Sequence, residues 1–186
     1  MIKNIALSLP CTGQDELDAV KEPIRNGWLT QGPKVAEFEK SFSDFLGSRY
    51  AVAVTSCTTA LHIALIAAGI KEGDEVIVPA FSWVSTANAV EYCGAKPVFI
   101  DIDKNTYNLD FSQIEKVLSS RTKAIIPVHL FGMPLDISKL REYLPPNIKI
   151  IEDAACAAGS RYHGNNIGSF DTISCFSFHP RKSITT

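Results

Sequence analysis

The chain has 186 residues, enough for one domain with a full hydrophobic core. Hydrophobic residues make up 46% and charged residues 20%, with a net charge of −2 and no basic run, which argues against an electrostatic nucleic-acid binder. No apolar run approaches the ~20 residues of a membrane span, and the start lacks the apolar stretch of a signal peptide.

Residues 1–13 read as an arm punctuated by Pro10 and Gly13. Residues 14–26 carry Leu17, Val20 and Ile24 at helical spacing, with Pro23 predicting a bend or an end. The loop GWLTQGP, 27–33, exposes Trp28. A second amphipathic helix is predicted over 35–46, with Phe38, Phe42 and Phe45 on one face and Gly47 as its stop.

From Tyr50 onward the pattern turns regular. YAVAVTS (50–56) reads as a strand, and the apolar run after it as a helix ending at Gly69. DEVIVPA (74–80) is a strand, FSWVSTANAVEYCG (81–94) a helix and KPVFIDI (96–102) a strand. Asp110 can cap the helix FSQIEKVLSS. TKAIIPVHL is the next strand, ISKLREYL a helix before Pro145 and Pro146, and IKIIEDA a strand. A short strand near Ile167 and a last strand, ISCFSF, complete the series. Strands that are continuous apolar runs, alternating with helices, predict an α/β fold: a mostly parallel sheet with helices on both faces.

In such sheets ligands bind beyond the carboxyl ends of the strands. The residues there are Cys57, Thr58 and Thr59; Phe81, Ser82 and Trp83; His129 with Phe131 and Gly132; Asp153; and finally His179 and Lys182. These groups are expected to converge on one rim. Each has a chemical use and a plain alternative. The hydroxyl-rich turn TSCTTAL opens a helix whose free N–H groups suit a phosphate, or Ser56 or Thr58 simply caps that helix. Trp83 can stack on a flat ring or pack in the core. Asp153, before small apolar residues, can hold a protonated ring nitrogen or cap a turn. Ser177, alternating with Phe176 and Phe178, faces away from them and reaches a phosphate or satisfies itself in the core. Lys182 follows a strand end and a proline. Desolvation there would favour a neutral amine, a Schiff-base nucleophile; the alternative is a loop lysine.

A phosphate cradle, a stacking aromatic, a carboxylate and a late lysine form the kit for pyridoxal 5'-phosphate (PLP). Neither G-x-G-x-x-G nor a P-loop follows the first strand, which argues against a nucleotide-binding domain. The five scattered cysteines, without C-x-x-C spacing, predict neither a zinc site nor a disulfide framework. Their usage points to a reduced, cytoplasmic setting. His62, His129, His163 and His179 show no ligand spacing and read as structural or rim residues.

The motifs GWLTQGP, TSCTTALHIAL, DEVIVPAFSWVSTANAV, GAKPVFIDID, TKAIIPVHLFG, IEDAACAAG and FSFHPRK, in that order, resemble the nucleotide-sugar aminotransferases of the DegT/StrS type. The wording of IEDAACAAG and FSFHPRK is most similar to the perosamine-synthase branch. The resemblance implies the large domain of the aspartate-aminotransferase fold (fold-type I). It implies Lys182 as the internal-aldimine lysine and proton carrier, Asp153 as the ring-nitrogen partner and Trp83 as the stacking aromatic. Backbone groups of Thr58 and Thr59 and the Ser177 hydroxyl would take the phosphate. Cys156 would lie near the ring hydroxyl, where many relatives have Gln or His, and Cys57 stands where many have glycine.

The activity implied is transfer of an amino group, with glutamate as the expected donor, to a keto-deoxy sugar on a nucleotide carrier, in a cytoplasmic homodimer serving glycan or polysaccharide synthesis. The alternatives are a sugar dehydratase of the same fold, against which Lys182 argues because relatives that dehydrate can carry histidine there, a PLP-binding regulator, and a non-catalytic fragment. Relatives continue past this lysine with a glycine-rich turn, the rest of the large domain and a small C-terminal domain. Residues 1–186 are therefore expected to be the arm and most of the PLP-binding domain of a longer enzyme, inactive alone.

Overall fold

The computed structural model describes residues 9–185. The arm read over 1–13 thus lies mostly outside the described residues.

Five strands form a parallel sheet: β1 (Glu75–Pro79), β2 (Lys96–Ile100), β3 (Thr122–Ile125), β4 (Lys149–Asp153) and β7 (Ile173–Cys175), in the order β2-β1-β3-β4-β7. A small antiparallel hairpin, β5 (Arg161–Tyr162) with β6 (Asn165–Asn166), precedes β7. The chain steps outward from β1 to β2, then crosses back so that β3 lies on the other side of β1. Such a reversal opens a crevice beyond the strand ends, where α/β sheets place their ligands.

Alternation along each strand sorts the side chains onto two faces. Val76, Val78, Ala124, Ile126 and Ile151 join Leu61 and Leu65 of α3 (Cys57–Ala67) and Ala89 and Val90 of α4 (Ser85–Tyr92) in one core. Ile77, Ile125 and Ile150 join Ile114 of α5 (Ile114–Val117) and Ile137 and Leu140 of α6 (Ile137–Glu142) in the other. The expected two-sided parallel sheet is therefore present, and both faces of β1 are fully buried.

The two leading helices also form. In α1 (Gln14–Asn26), Pro23 lies inside the last turns without ending the helix, which stops at Gly27 in the left-handed region. No residue of α1 is buried, so water can satisfy the carbonyl that Pro23 leaves unpaired. In α2 (Pro33–Leu46), Phe42 meets Phe176 and Phe178 edge-on with centroids 5.1 Å apart in each pair.

Several expected elements are shorter or absent. YAVAVTS is not a strand: Val52 is 77% exposed and no ladder partner lies beside it among the described residues. β propensity without a neighbour leaves only an extended segment. Single bonds pin it: Ala53 N donates to Glu39 Oε1 at 2.7 Å. The helix read over 81–94 begins only at Ser85, after a turn. FSQIEKVLSS splits into a 3-10 turn, capped by Asp110 as expected, and the short α5. The regular strand within TKAIIPVHL stops at Ile125, close to Pro127, which has no N–H to offer. The segment nonetheless stays on the sheet: Ile126 N donates to Ile77 O at 2.8 Å and Val128 bridges Asp153 in parallel. ISCFSF keeps only Ile173–Cys175 as strand, because Phe176 and Phe178 turn toward α2.

Candidate active site

Two adjacent carboxylates end β4, and the period of two sends them to opposite faces. Asp153 follows Ile151 onto the α3/α4 face; Glu152 follows Ile150 onto the α5/α6 face. Asp153 is 5% exposed. Thr86 of α4 donates its hydroxyl to Asp153 Oδ2 at 2.8 Å, and Ala155 N donates to Oδ1 at 3.2 Å. Ser82 Oγ lies 2.8 Å from Thr86 Oγ1. Since the Thr86 proton goes to the carboxylate, Ser82 must be the donor in that pair. Burial pushes the Asp153 carboxyl above its usual range, against the pull of the Thr86 and Ala155 bonds and the Lys182 charge. The carboxylate keeps spare acceptor capacity, since two oxygens can take about four bonds. A buried acceptor short of donors, under the influence of a lysine, fits a cationic N–H such as a protonated pyridine nitrogen.

Lys182 is half-buried, and its Nζ donates to Cys156 Sγ at 3.2 Å. Its backbone N donates to His179 O at 2.8 Å, closing a turn after β7. The Cys156 segment is held by the loop after β3. Gly132, at φ +81°, sits where a Cβ would come within 3.1 Å of the Cys156 carbonyl, and Ser160 Oγ donates to Gly132 O at 2.9 Å. Only glycine combines that conformation with that approach.

At the start of α3, Ser56 caps the helix by accepting from Thr59 N at 3.1 Å. The capping alternative for TSCTTAL is thus realised, and Thr59 N is engaged by it. Thr58 N, in the first turn, has no intrahelical carbonyl to pair with. Cys57 Sγ donates to Cys175 O at 3.4 Å, which ties this helix start to β7 next to Asp153. Burial and the Asp153 charge raise the Cys57 thiol well above its usual range and push Cys175 up to about 12, so both remain neutral thiols. Ser177 is half-buried, and its Oγ accepts from His179 N at 3.4 Å.

Trp83 is 76% exposed, so the core-packing alternative does not hold. Its carbonyl accepts from Thr86 N at 3.0 Å, which places Trp83 one turn from the residue that grips Asp153. Contacts or charge thus link Asp153, Lys182, Cys156 and the helix start carrying Thr58 and Thr59. Ser177 follows Cys175 by two positions and Trp83 joins through Thr86, without a direct bond from either to Asp153 or Lys182 among the described residues.

Two groups escaped the sequence reading. Thr86 is one; a threonine within a helix carries no signal in the sequence of a partner on a strand 67 positions away. The other is Glu152, which pairs beneath the rim with His129; both side chains are fully buried. Leu135 N donates to His129 Nδ1 at 3.0 Å, so Nε2 carries the proton and donates to Glu152 Oε2 at 2.7 Å. Ser174 and Thr172 hydroxyls donate to Glu152 Oε1. Burial works to raise the Glu152 carboxyl, yet the bonds from His129, Thr172 and Ser174 bring it below its usual value. His129 is therefore structural, as one of the two sequence readings had it.

The profile of the DegT/DnrJ/EryC1/StrS aminotransferase family matches residues 10–186. GDP-perosamine synthase of Caulobacter vibrioides is 43% identical over 187 residues, covering 100% of this chain and 50% of that protein. The PLP form of the putative sugar aminotransferase Spr1654 from Streptococcus pneumoniae superposes with a TM-score of 0.94 at 33% identity, over 98% of this chain and 51% of that one. The ntda structure from Bacillus subtilis with bound cofactor PMP superposes with a TM-score of 0.85 at 37% identity, over 92% and 39% of the two chains. The chain spans about half the length of the curated relatives it matches.

Proposed function

Because the chain belongs to the DegT/DnrJ/EryC1/StrS aminotransferase family, we propose that it forms the cofactor-binding part of a PLP-dependent enzyme that moves an amino group from an amino acid to a keto-deoxy nucleotide sugar. Its sheet is that of the fold-type I aminotransferases. The observation that carries the reading is the buried Asp153, with spare acceptor capacity and Lys182 acting on it across the rim. On this reading residues 1–186 are the N-terminal arm and most of the large domain, and the enzyme works as a homodimer in the cytoplasm.

Pyridoxal phosphate supplies an electron sink when bound. Lys182 Nζ is the group that would hold its aldehyde carbon and then carry the proton between amino acid and cofactor. Asp153 would keep the ring nitrogen protonated. Trp83 offers an open indole face for the ring, the first turn of α3 at Thr58 and Thr59 offers N–H groups and a positive helix end for the phosphate, and the Ser177 hydroxyl adds to them. The Cys156 thiol, a weak hydrogen-bond partner, would lie beside the ring hydroxyl. The amino donor is proposed to be glutamate, and the product a precursor for a surface glycan or polysaccharide.

The test is borohydride reduction of the complete protein after loading with PLP, then peptide mapping, together with a half-reaction in glutamate followed by absorbance. A pyridoxyl adduct on Lys182 and conversion of the cofactor by glutamate are expected. An adduct elsewhere, or none, overturns the site. Loading without conversion leaves a PLP-binding regulator.

A further inference from the structure

Thr86 is 1% exposed, in the first turn of α4. A threonine inside a helix ordinarily returns its hydroxyl proton to a carbonyl three or four residues back. Thr86 instead donates it to Asp153, 67 positions away in the chain. The residue four back, Ser82, contributes its side chain at 2.8 Å and fills the acceptor side of the Thr86 oxygen. The result is a directed chain, Ser82 to Thr86 to Asp153, in which each hydroxyl has one orientation.

No other side chain hydrogen-bonds Asp153 among the described residues. The titratable groups around it are Lys182, the thiols of Cys57 on α3 and Cys175 on β7, and His129 behind it. The two thiols stay neutral and the His129 ring is engaged with Glu152 and Leu135. Lys182 bonds Cys156 and not the carboxylate.

We propose that Thr86, oriented by Ser82, is the positioning residue for Asp153, fixing the rotamer of this carboxylate and sustaining its charge toward a protonated ring nitrogen. The inference rests on the functional reading above and goes beyond it. Asp153 sits in a place that disfavours its charge, so the carboxylate needs a donor of its own. A bond from the protein frees that need from the cofactor and leaves the outward lone pairs for the ring. Trp83 shares the same turn, so one helix start sets both the proposed stacking ring and the carboxylate partner.

The experiment uses the complete protein loaded with PLP labelled with 15N at the ring nitrogen, as wild type, Thr86→Val, Thr86→Ser and Ser82→Ala. NMR of the ring nitrogen across pH reads its protonation directly. In Thr86→Val the signal is expected to move toward the unprotonated position, and amino transfer to slow by roughly tenfold or more. Thr86→Ser restores both. Ser82→Ala shifts the signal the same way by less, and serves as the probe if Thr86→Val does not fold. In an Asp153→Asn background, Thr86→Val has no further effect on the ring nitrogen. An unchanged nitrogen signal in both Thr86→Val and Ser82→Ala, with PLP bound on Lys182, overturns the positioning role and leaves the functional reading standing. Failure of wild type to load PLP on Lys182 overturns the reading, and the proposal with it.

Discussion

Asp153 and Glu152 are neighbours in sequence and opposites in environment. Glu152 faces the α5/α6 side, where His129, Thr172 and Ser174 all donate to it, and its carboxyl titrates low despite full burial. Asp153 faces the α3/α4 side with one hydroxyl and one amide N–H, and its carboxyl is pushed up. The same chemical group serves as a scaffold where its bonds are complete and as a candidate site where they are not. A carboxylate kept short of donors costs stability in the empty fold, and it is the one able to accept a new cation.

Replacing each in turn should separate the two roles. Lys182→Ala, which removes the cation on the Asp153 side, should abolish turnover of the complete enzyme; wild-type rates in a steady-state assay would break the assignment. Asp153→Asn should lower the transamination rate on the order of a hundredfold or more, while urea melts of the protein without cofactor show stability unchanged or raised. Glu152→Leu should behave in reverse. It strands the His129 N–H and two hydroxyls, and denaturant unfolding should show a loss of about 3 kcal/mol. If Glu152→Leu spared stability and Asp153→Asn reduced it, the contrast would be wrong.

The smallest effect is the pH dependence of folding. Glu152 has a lowered carboxyl in the folded state, so it contributes stability that is complete above its unfolded value of about 4.3 and is lost as pH falls through the folded one. Asp153 has a raised carboxyl, so it costs stability progressively as pH rises from its unfolded value of about 3.9 to the folded one. Urea melts through the acidic range should therefore show Asp153→Asn gaining on wild type as pH rises, and Glu152→Leu losing on wild type.

Much of the fold was legible because parallel strands buried on both faces carry consecutive apolar residues, as Val76, Ile77 and Val78 do in β1 and Ile150 and Ile151 in β4. The run YAVAVTS met the same criterion and failed, since a strand also needs a neighbour, and propensity carries no information about who stands beside it. At the site, Asp153 and Lys182 stood out by residue type at strand ends, and Trp83 as an aromatic just after the strand DEVIVPA, although it was read inside a helix that in fact begins only at Ser85. Thr86 did not, because a threonine in an apolar helix looks like any other until its hydroxyl is seen to reach β4.

The sequence by itself determined the alternation of elements, the two-sided sheet, and the strand ends that carry chemistry-bearing residues, because period and chain order are local properties. The period of two also decided that Glu152 and Asp153 would part company. Which of them met donors and which met a lysine was decided only by the tertiary structure. That depends on what α3, α4 and β7 place around β4: Thr86 and Ser174, each facing one carboxylate from far along the chain. Burial without enough donors is a property of packing, and it is what distinguishes Asp153 from its neighbour.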